Sequence, residues 1–228
     1  DVKTFEDKRG LDPTEKDALQ APVEVLRRKM GVCAGYANLF NALCAASGIE
    51  AVHVSGLTKN DRGRIPRIGH AWNLVRADGR WALIDATWGS GYMDTDDGKY
   101  TPHFNEAFFF TAPEIMILDH YPHDPLFQLL PVPLTPEEFK QDRAAVQKLL
   151  AERQSADARY AVKDSLDAFV QLDSASRYFN SCLRTVGFDP ANNPALFGLG
   201  MYRHNAATAH LEIVQREWNG LRMDPRDP

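Results

Sequence analysis

This 228-residue sequence lacks several features that define other classes of protein. It has no run of about 18 apolar residues, the length that crosses a bilayer, and no signal-peptide pattern follows Asp1. Its three cysteines are an odd number, so at least one thiol stays free and a disulfide scaffold is not expected. We therefore predict a soluble chain without membrane insertion, in an unknown compartment, whose native N-terminus lies upstream of Asp1.

Positive charge and metal-binding motifs are also scarce. Lys and Arg number 26 against 31 Asp and Glu, which gives a net charge of -5 and no electrostatic reason to bind nucleic acid. No CxxC pair or HExxH motif indicates zinc, and Pro122 disfavours helical ligand geometry for His120 and His123. We interpret these two histidines as satisfied or exposed side chains, and we predict no metal, no cofactor and no nucleic-acid partner.

Hydrophobic residues make up 44% of the chain, and their pattern mixes helix with strand over the first 134 residues. The predicted elements are an irregular helix at 13–30 that breaks near Pro22, a buried helix at 33–47, three strands at 51–57, 70–76 and 80–87, and a Phe-rich strand or turn at 108–110. Repeated prolines keep 111–134 irregular, and we expect this segment to wrap the domain surface.

The pattern becomes helical at Thr135. Thr135 as N-cap, Pro136 at the first helical position and Glu138 three residues after the cap form a capping box that opens a helix towards Gln154. Two further helical stretches, at 157–184 and 195–221, complete the chain. We therefore predict a domain at 1–134 that carries the chemistry and a helical extension at 135–228, which either covers a cleft or binds a protein partner.

Cys33 stands in the first turn of the predicted helix at 33–47. Unpaired N–H groups and the macrodipole at a helix N-terminus stabilise a thiolate, and the Cys33 amide can also donate to an oxyanion. The alternative is a small buried hydrophobe, the commoner fate of a free cysteine. We assign that packing role to Cys44, about three turns further along the helix, and to Cys182.

A second candidate pair comes from the predicted hairpin. An Asp-Gly turn at 78–79 of the primed type fixes the register, so that His70 lies opposite Thr87 and Trp72 opposite Asp85. His70 and Asp85 then share one face as diagonal neighbours about 7–8 Å apart, within side-chain reach. A carboxylate there can orient the imidazole. The alternative is a strand-end histidine and a turn or capping aspartate without any shared role.

Aromatic residues surround this hairpin. By strand parity Trp72 shares the face of His70 and Asp85, so we predict that it lies beside the site, whereas Trp88 fits either a cleft wall or the core. Trp81 is expected to pack at an edge or in the core. Together with Tyr36 and Gln20, Trp72 and Trp88 are the candidate cleft-lining residues.

Three motifs, GVCAGYA at 31–37, GHAWN at 69–73 and IDATW at 84–88, resemble the transglutaminase-like superfamily. With Phe109, 113–117, His120 and 128–130 they are most similar to the branch of kyphoscoliosis peptidase and hillarin, over about residues 24–134. The resemblance implies an α+β, papain-like fold, in which a helix with the nucleophile packs on an antiparallel sheet. It also implies a Cys33, His70 and Asp85 triad.

The sequence departs from the family pattern in two respects. Only 32 residues precede Cys33, whereas the family usually carries further helices there, so we expect that this sequence lacks part of the domain's N-terminal region. The family's upstream oxyanion-stabilising side chain has no clear counterpart. Gln20 is available for that role, but its spacing does not require it, and we leave the role to the Cys33 amide.

The expected chemistry is acyl transfer on the amide groups of a protein or peptide. Cys33 attacks the carbonyl, His70 protonates the leaving amine, and a thioester is released by water or by an amine. The resemblance makes a peptidase at least as well supported as a transglutaminase, and the sequence leaves the two open. The alternative function is a catalytically idle module that serves as a protein-interaction scaffold.

Overall fold

The computed structural model describes residues 10–60, 62–94, 98–153 and 161–221. The chain divides into two compact units, Asp1–Gln171 and Leu172–Pro228. The helices Pro136–Phe139, Arg143–Glu152 and Val162–Phe169 follow residue 134 but fall in the first unit. Where the functional domain ends stays a prediction.

The first unit combines short helices with two antiparallel sheets. Its helices are α1 (Pro13–Ala18), α2 (Pro22–Arg28), α3 (Cys33–Ala46), α4 (Ala86–Ser90), α5 (Pro113–Met116), α6 (Pro136–Phe139), α7 (Arg143–Glu152) and α8 (Val162–Phe169). Its strands are β1 (Ala51–Thr58), β2 (His70–Ala77), β3 (Arg80–Ile84), β4 (Gly91–Met93), β5 (Tyr100–Pro102), β6 (Phe109–Thr111) and β7 (His120–Pro122). The larger sheet has the order β6-β3-β2-β1-β7, and β4 pairs with β5. The predicted α+β class is confirmed.

The β2–β3 hairpin has the predicted register. Ala77 pairs with Arg80, and the pairing continues to Asn73 opposite Ile84. Both turn residues have positive φ, 50° at Asp78 and 74° at Gly79, as a primed turn requires. The predicted continuation of the strand to residue 87 is wrong, because the chain turns into helix α4 directly after Asp85.

The segment 111–134 does not wrap the surface, so that expectation is wrong. Its strand β7 pairs with β1, with His120 opposite Thr58. Its apolar side chains form a buried cluster with residues of the helices that follow, composed of Ile117, Leu118, Tyr121, Leu130, Leu134, Phe139 and Val146. Prolines interrupt regular structure here, but they leave the apolar side chains free to enter the core.

Helix α3 begins at Cys33 and packs against β2, as predicted. Cys44 is buried and packs with Val75 and Ile84, which confirms its place in the core. The capping box at Thr135 is present, but α6 ends at Phe139. Asp142 then caps α7, so the helix predicted to run to 154 is two helices.

The second unit contains helices α9 (Ser174–Phe188) and α10 (Asn193–Leu221). They pack around Cys182, Ala195 and Leu199, so Cys182 is a packing residue, as predicted. The predicted start of a helix at 157 lies outside the described residues. Over the described ranges, no helix is both long enough and apolar enough to cross a bilayer.

Gly56 permits the close approach of β1 to its neighbours. A Cβ there would lie 2.0 Å from the carbonyl oxygen of Tyr121 and 2.7 Å from the Trp72 ring. We predict that Gly56→Ala lowers the free energy of unfolding by about 3 kcal/mol, measured by urea denaturation, because strand β7 and a buried indole must both shift. Gly69→Ala is the control, since its Cβ would meet only the Gly56 carbonyl, at 3.4 Å. Equal losses in the two variants would contradict this account.

Candidate active site

His70 and Asp85 form the central contact of the site. His70 begins β2, Asp85 follows β3, and the hairpin brings Nε2 of His70 to 2.6 Å from Oδ2 of Asp85. The Asp85 side chain is completely buried. Its other oxygen, Oδ1, accepts backbone N–H groups from Thr87 at 2.7 Å and Trp88 at 3.0 Å. The carboxylate that caps helix α4 therefore also faces the imidazole, as the hairpin register predicted.

Cys33 is the second hydrogen-bond partner of the His70 ring. Because Nε2 of His70 faces Asp85, Nδ1 is the nitrogen that is left for the thiol. Burial by itself would raise the pKa of Cys33. Hydrogen bonds with the His70 ring and with the backbone N–H groups of Ala71 and Ala34 outweigh burial and lower that pKa. The structure thus brings all three predicted residues together at the first turn of α3.

The two partners of His70 set its protonation. Burial would lower the pKa of His70, but its hydrogen bonds with Asp85 and Cys33 raise it to about 9. Burial would likewise raise the pKa of Asp85, yet hydrogen bonds from His120 and His70 hold it well below its usual value. Together these contacts favour negative charge on Cys33 and Asp85 and positive charge on His70.

Two buried side chains hold α3 against the elements around it. The amide nitrogen of Asn73, on β2, donates to the Ala37 carbonyl at 3.0 Å and to Oδ1 of Asn41 at 2.8 Å. Oε1 of Gln20 accepts the backbone N–H of Val32, the residue before Cys33, at 3.0 Å. These contacts fix the start of the cysteine helix relative to the hairpin that carries His70.

The predicted cleft-lining residues fall into two groups. Tyr36 and Trp88 line an open cleft of about 1480 Å³, together with Val32 and Thr87. Trp72 lies beside the site, as predicted, with its ring stacked on the His70 ring and the centroids 5.9 Å apart. It does not line the cleft, because it has no exposed surface. Strand parity gives the face of a residue but not its depth.

Gln20 is also buried, with 5% of its surface exposed. Its side-chain oxygen is used to hold Val32, and a Cβ on Gly35 would lie only 2.6 Å from that oxygen. Gln20 therefore supports the backbone ahead of Cys33. Gln20 is not among the residues that line the cleft, contrary to its predicted place, and the oxyanion role stays with the Cys33 amide as a prediction.

His120 is the site residue that sequence reasoning missed. It is 1% exposed, and its Nε2 lies 3.0 Å from Oδ2 of Asp85, the same oxygen that faces His70. The prediction that His120 is a hydrogen-bonded or exposed histidine fits this contact. No local sequence pattern predicted that it would lie beside Asp85. That place depends on the pairing of β7 with β1, and the only signal was its presence in the family resemblance.

Among the described residues, His70, Asp85 and His120 offer three potential ligand atoms within 4.8 Å of one another. The two ring nitrogens already face one carboxylate oxygen, at 2.6 and 3.0 Å. These are hydrogen-bond distances, so hydrogen bonding accounts for the grouping without an ion.

Comparison with known proteins agrees with this geometry. Residues 3–86 match the family model described as the transglutaminase-like superfamily. Over these residues the chain is similar to proteins of the transglutaminase-like superfamily. The match ends at Ala86 and so includes Cys33, His70 and Asp85.

Three curated relatives show the branch. Kyphoscoliosis peptidase of Mus musculus is 39% identical over 124 residues, which cover 52% of this chain and 19% of that protein. A LIM and transglutaminase domain protein of Caenorhabditis elegans is 28% identical over 143 residues, covering 55% and 20%. Hillarin of Drosophila melanogaster is 27% identical over 138 residues, covering 52% and 16%. The predicted branch is confirmed, and the chain spans about a fifth or less of each relative's length.

The lowered pKa of Cys33 generates a direct prediction. Iodoacetamide should alkylate Cys33 at a lower pH than it alkylates an ordinary thiol, because the lowered pKa makes the thiolate more abundant there. Cys44 is the internal control, since burial raises its pKa, and fragment mass spectra separate the two adducts. Asp85→Asn should move the onset of Cys33 labelling upwards, because an amide holds an imidazolium less strongly than a carboxylate does. Labelling of Cys33 only near pH 8.5 would show an ordinary thiol.

Proposed function

We propose that the transglutaminase-like domain catalyses cysteine-dependent acyl transfer on amide groups of a protein or peptide, through a thioester. The observation that carries the proposal is the hydrogen-bonded series of Cys33, His70 and Asp85 at the first turn of α3, next to the cleft. A binding scaffold has no need of a thiol whose pKa is lowered by a paired imidazolium. Cys33 is partly exposed and its neighbour Val32 lines the cleft, which supports access for a substrate.

In the proposed reaction the Cys33 thiolate first attacks the carbonyl carbon and forms a C–S bond. The π electron pair of the C=O bond moves onto the oxygen. The Cys33 amide stabilises that oxyanion. As the C–N bond breaks, His70 gives its proton to the leaving nitrogen, and the thioester forms. Neutral His70 then takes a proton from the incoming nucleophile, which attacks the thioester and restores the thiolate.

The incoming nucleophile decides the outcome. Water gives hydrolysis, as a peptidase or amidase, whereas a primary amine gives a crosslink. The name of one relative, a peptidase, supports the first outcome, and that of another, a transglutaminase domain protein, supports the second. Both outcomes use the same three residues, so the proposal covers both. The alternative, an idle interaction scaffold, predicts neither product.

Mass spectrometry separates these outcomes. A glutamine-rich protein is incubated with this chain, with and without a primary amine, beside a Cys33→Ala control. We expect the intact chain to produce deamidated glutamine, amine-modified glutamine or new peptide termini, and the control to produce none. No product under any condition, from a protein with a reactive Cys33, would favour the scaffold.

The pKa of His70 predicts the alkaline limit of the reaction. The ring must carry a proton to protonate the leaving nitrogen, and its pKa of about 9 means that this proton is lost above that pH. The rate of thioester formation should therefore fall about tenfold per pH unit above about pH 9. A pre-steady-state measurement of acylation would show this, and a rate that still rises at about pH 10 would contradict it.

A further inference from the structure

His120 is held from both sides of its ring. Nε2 lies 3.0 Å from Oδ2 of Asp85, and Nδ1 lies 2.5 Å from Oδ1 of Asp119. The ring itself is completely buried. Asp119 is partly exposed and lines the cleft. A continuous series of side-chain contacts therefore runs from the cleft wall through His120 to Asp85 and His70.

Aromatic packing leaves the His120 ring a single orientation. Its centroid lies 4.5 Å from that of Trp88, 5.1 Å from that of Trp72 and 5.9 Å from that of Phe108. Two of these contacts are edge-on, the geometry preferred between aromatic rings. The ring cannot turn away from Asp85 without displacing the buried Trp72 indole or the Trp88 indole of the cleft wall, so packing supports the contact at Oδ2.

The consequence follows from the atom that both histidines share. His70 and His120 each direct Nε2 at Oδ2 of Asp85, while Oδ1 is occupied by two backbone N–H groups. With a proton on Nε2, His120 is a second donor to Oδ2, which disperses the negative charge of that oxygen and weakens its hold on His70. A general acid works best when its pKa lies near the working pH, so a weaker hold on the His70 proton favours its release.

We propose that His120 is a positioning residue for the reaction described above. His120 shares Oδ2 of Asp85 with His70 and thereby limits how tightly Asp85 holds the protonated His70 ring. This inference rests on the proposed function.

The charged and titratable groups that face these rings are Cys33, Asp85 and Asp119. Arg143 lies 3.9 Å from the far oxygen of Asp119, and Lys59 is also close to that carboxylate.

The direct test compares His120→Phe with the unaltered chain. Phenylalanine keeps a ring among the aromatic neighbours but has no N–H, so the whole charge of Oδ2 falls to His70. We expect the pKa of His70, followed by NMR of its ring protons, to rise by about one pH unit, the size of one charge-assisted hydrogen bond. The kcat at neutral pH should fall about tenfold with KM unchanged, because His120 touches no substrate.

Two further variants separate this role from simple packing. His120→Gln places an amide N–H near the position of Nε2, so it should restore the pKa of His70 and most of the kcat. Ile117→Ala, in the same buried segment, should lower stability without moving that pKa. If His120→Phe does not fold, His120→Asn serves, because its shorter side chain keeps a polar group towards Asp119 without reaching Asp85.

The outcomes for the two proposals are distinct. An ordinary thiol titration at Cys33 in the unaltered chain would remove the proposed function, yet the ring titration of His70 would still decide the role of His120. A His70 pKa that is unchanged or lower in the donor-free variants would overturn the inference. So would equal effects of His120→Phe and Ile117→Ala.

Discussion

The buried carboxylate of Asp85 is the interaction on which the site depends. A fully buried charge is costly unless each of its oxygens is hydrogen-bonded, and this one accepts two backbone N–H groups and faces two histidine rings. Its Oδ1 caps helix α4, and its Oδ2 orients the His70 ring. The same group therefore ends the hairpin, caps a helix and fixes the imidazole.

The remaining structure serves to bring Cys33 to that imidazole. The cysteine comes from a helix and the histidine from a strand, so their separation depends on how α3 sits on the sheet. Asn73 bonds β2 to the middle of α3, and Gln20 bonds the residue before Cys33. Neither side chain has a chemical part in the proposed reaction. Both act by holding the thiol and the ring at a fixed separation.

The sequence predicted the parts of the site that depend on local rules. The Asp-Gly turn set the register of β2 and β3, and from that register came the nearness of His70 and Asp85. Cap chemistry placed the start of α6 correctly. Cap chemistry also explains a failure, because Asp85 begins a helix where strand propensity had predicted two more residues of β3.

The parts that the sequence did not predict depend on distant pairing. Strand β7 has three residues, ends in a proline, and pairs with a strand more than sixty positions earlier, so no periodic pattern marks it. His120 was missed for that reason. Trp72 was placed on the correct face, but its burial depth depends on residues distant in sequence that pack on it, and His120 of β7 is one of them.

The central claim is that the His70 and Asp85 pair lowers the pKa of Cys33, so that its thiolate forms at a lower pH than that of an ordinary thiol. The ultraviolet absorbance of the thiolate, followed against pH and compared with Cys33→Ser, tests this claim without a substrate. The account predicts a thiolate signal that appears at a lower pH than that of an ordinary thiol and that Cys33→Ser lacks. A signal that appears only around the ordinary thiol pKa of about 8.5 would contradict it.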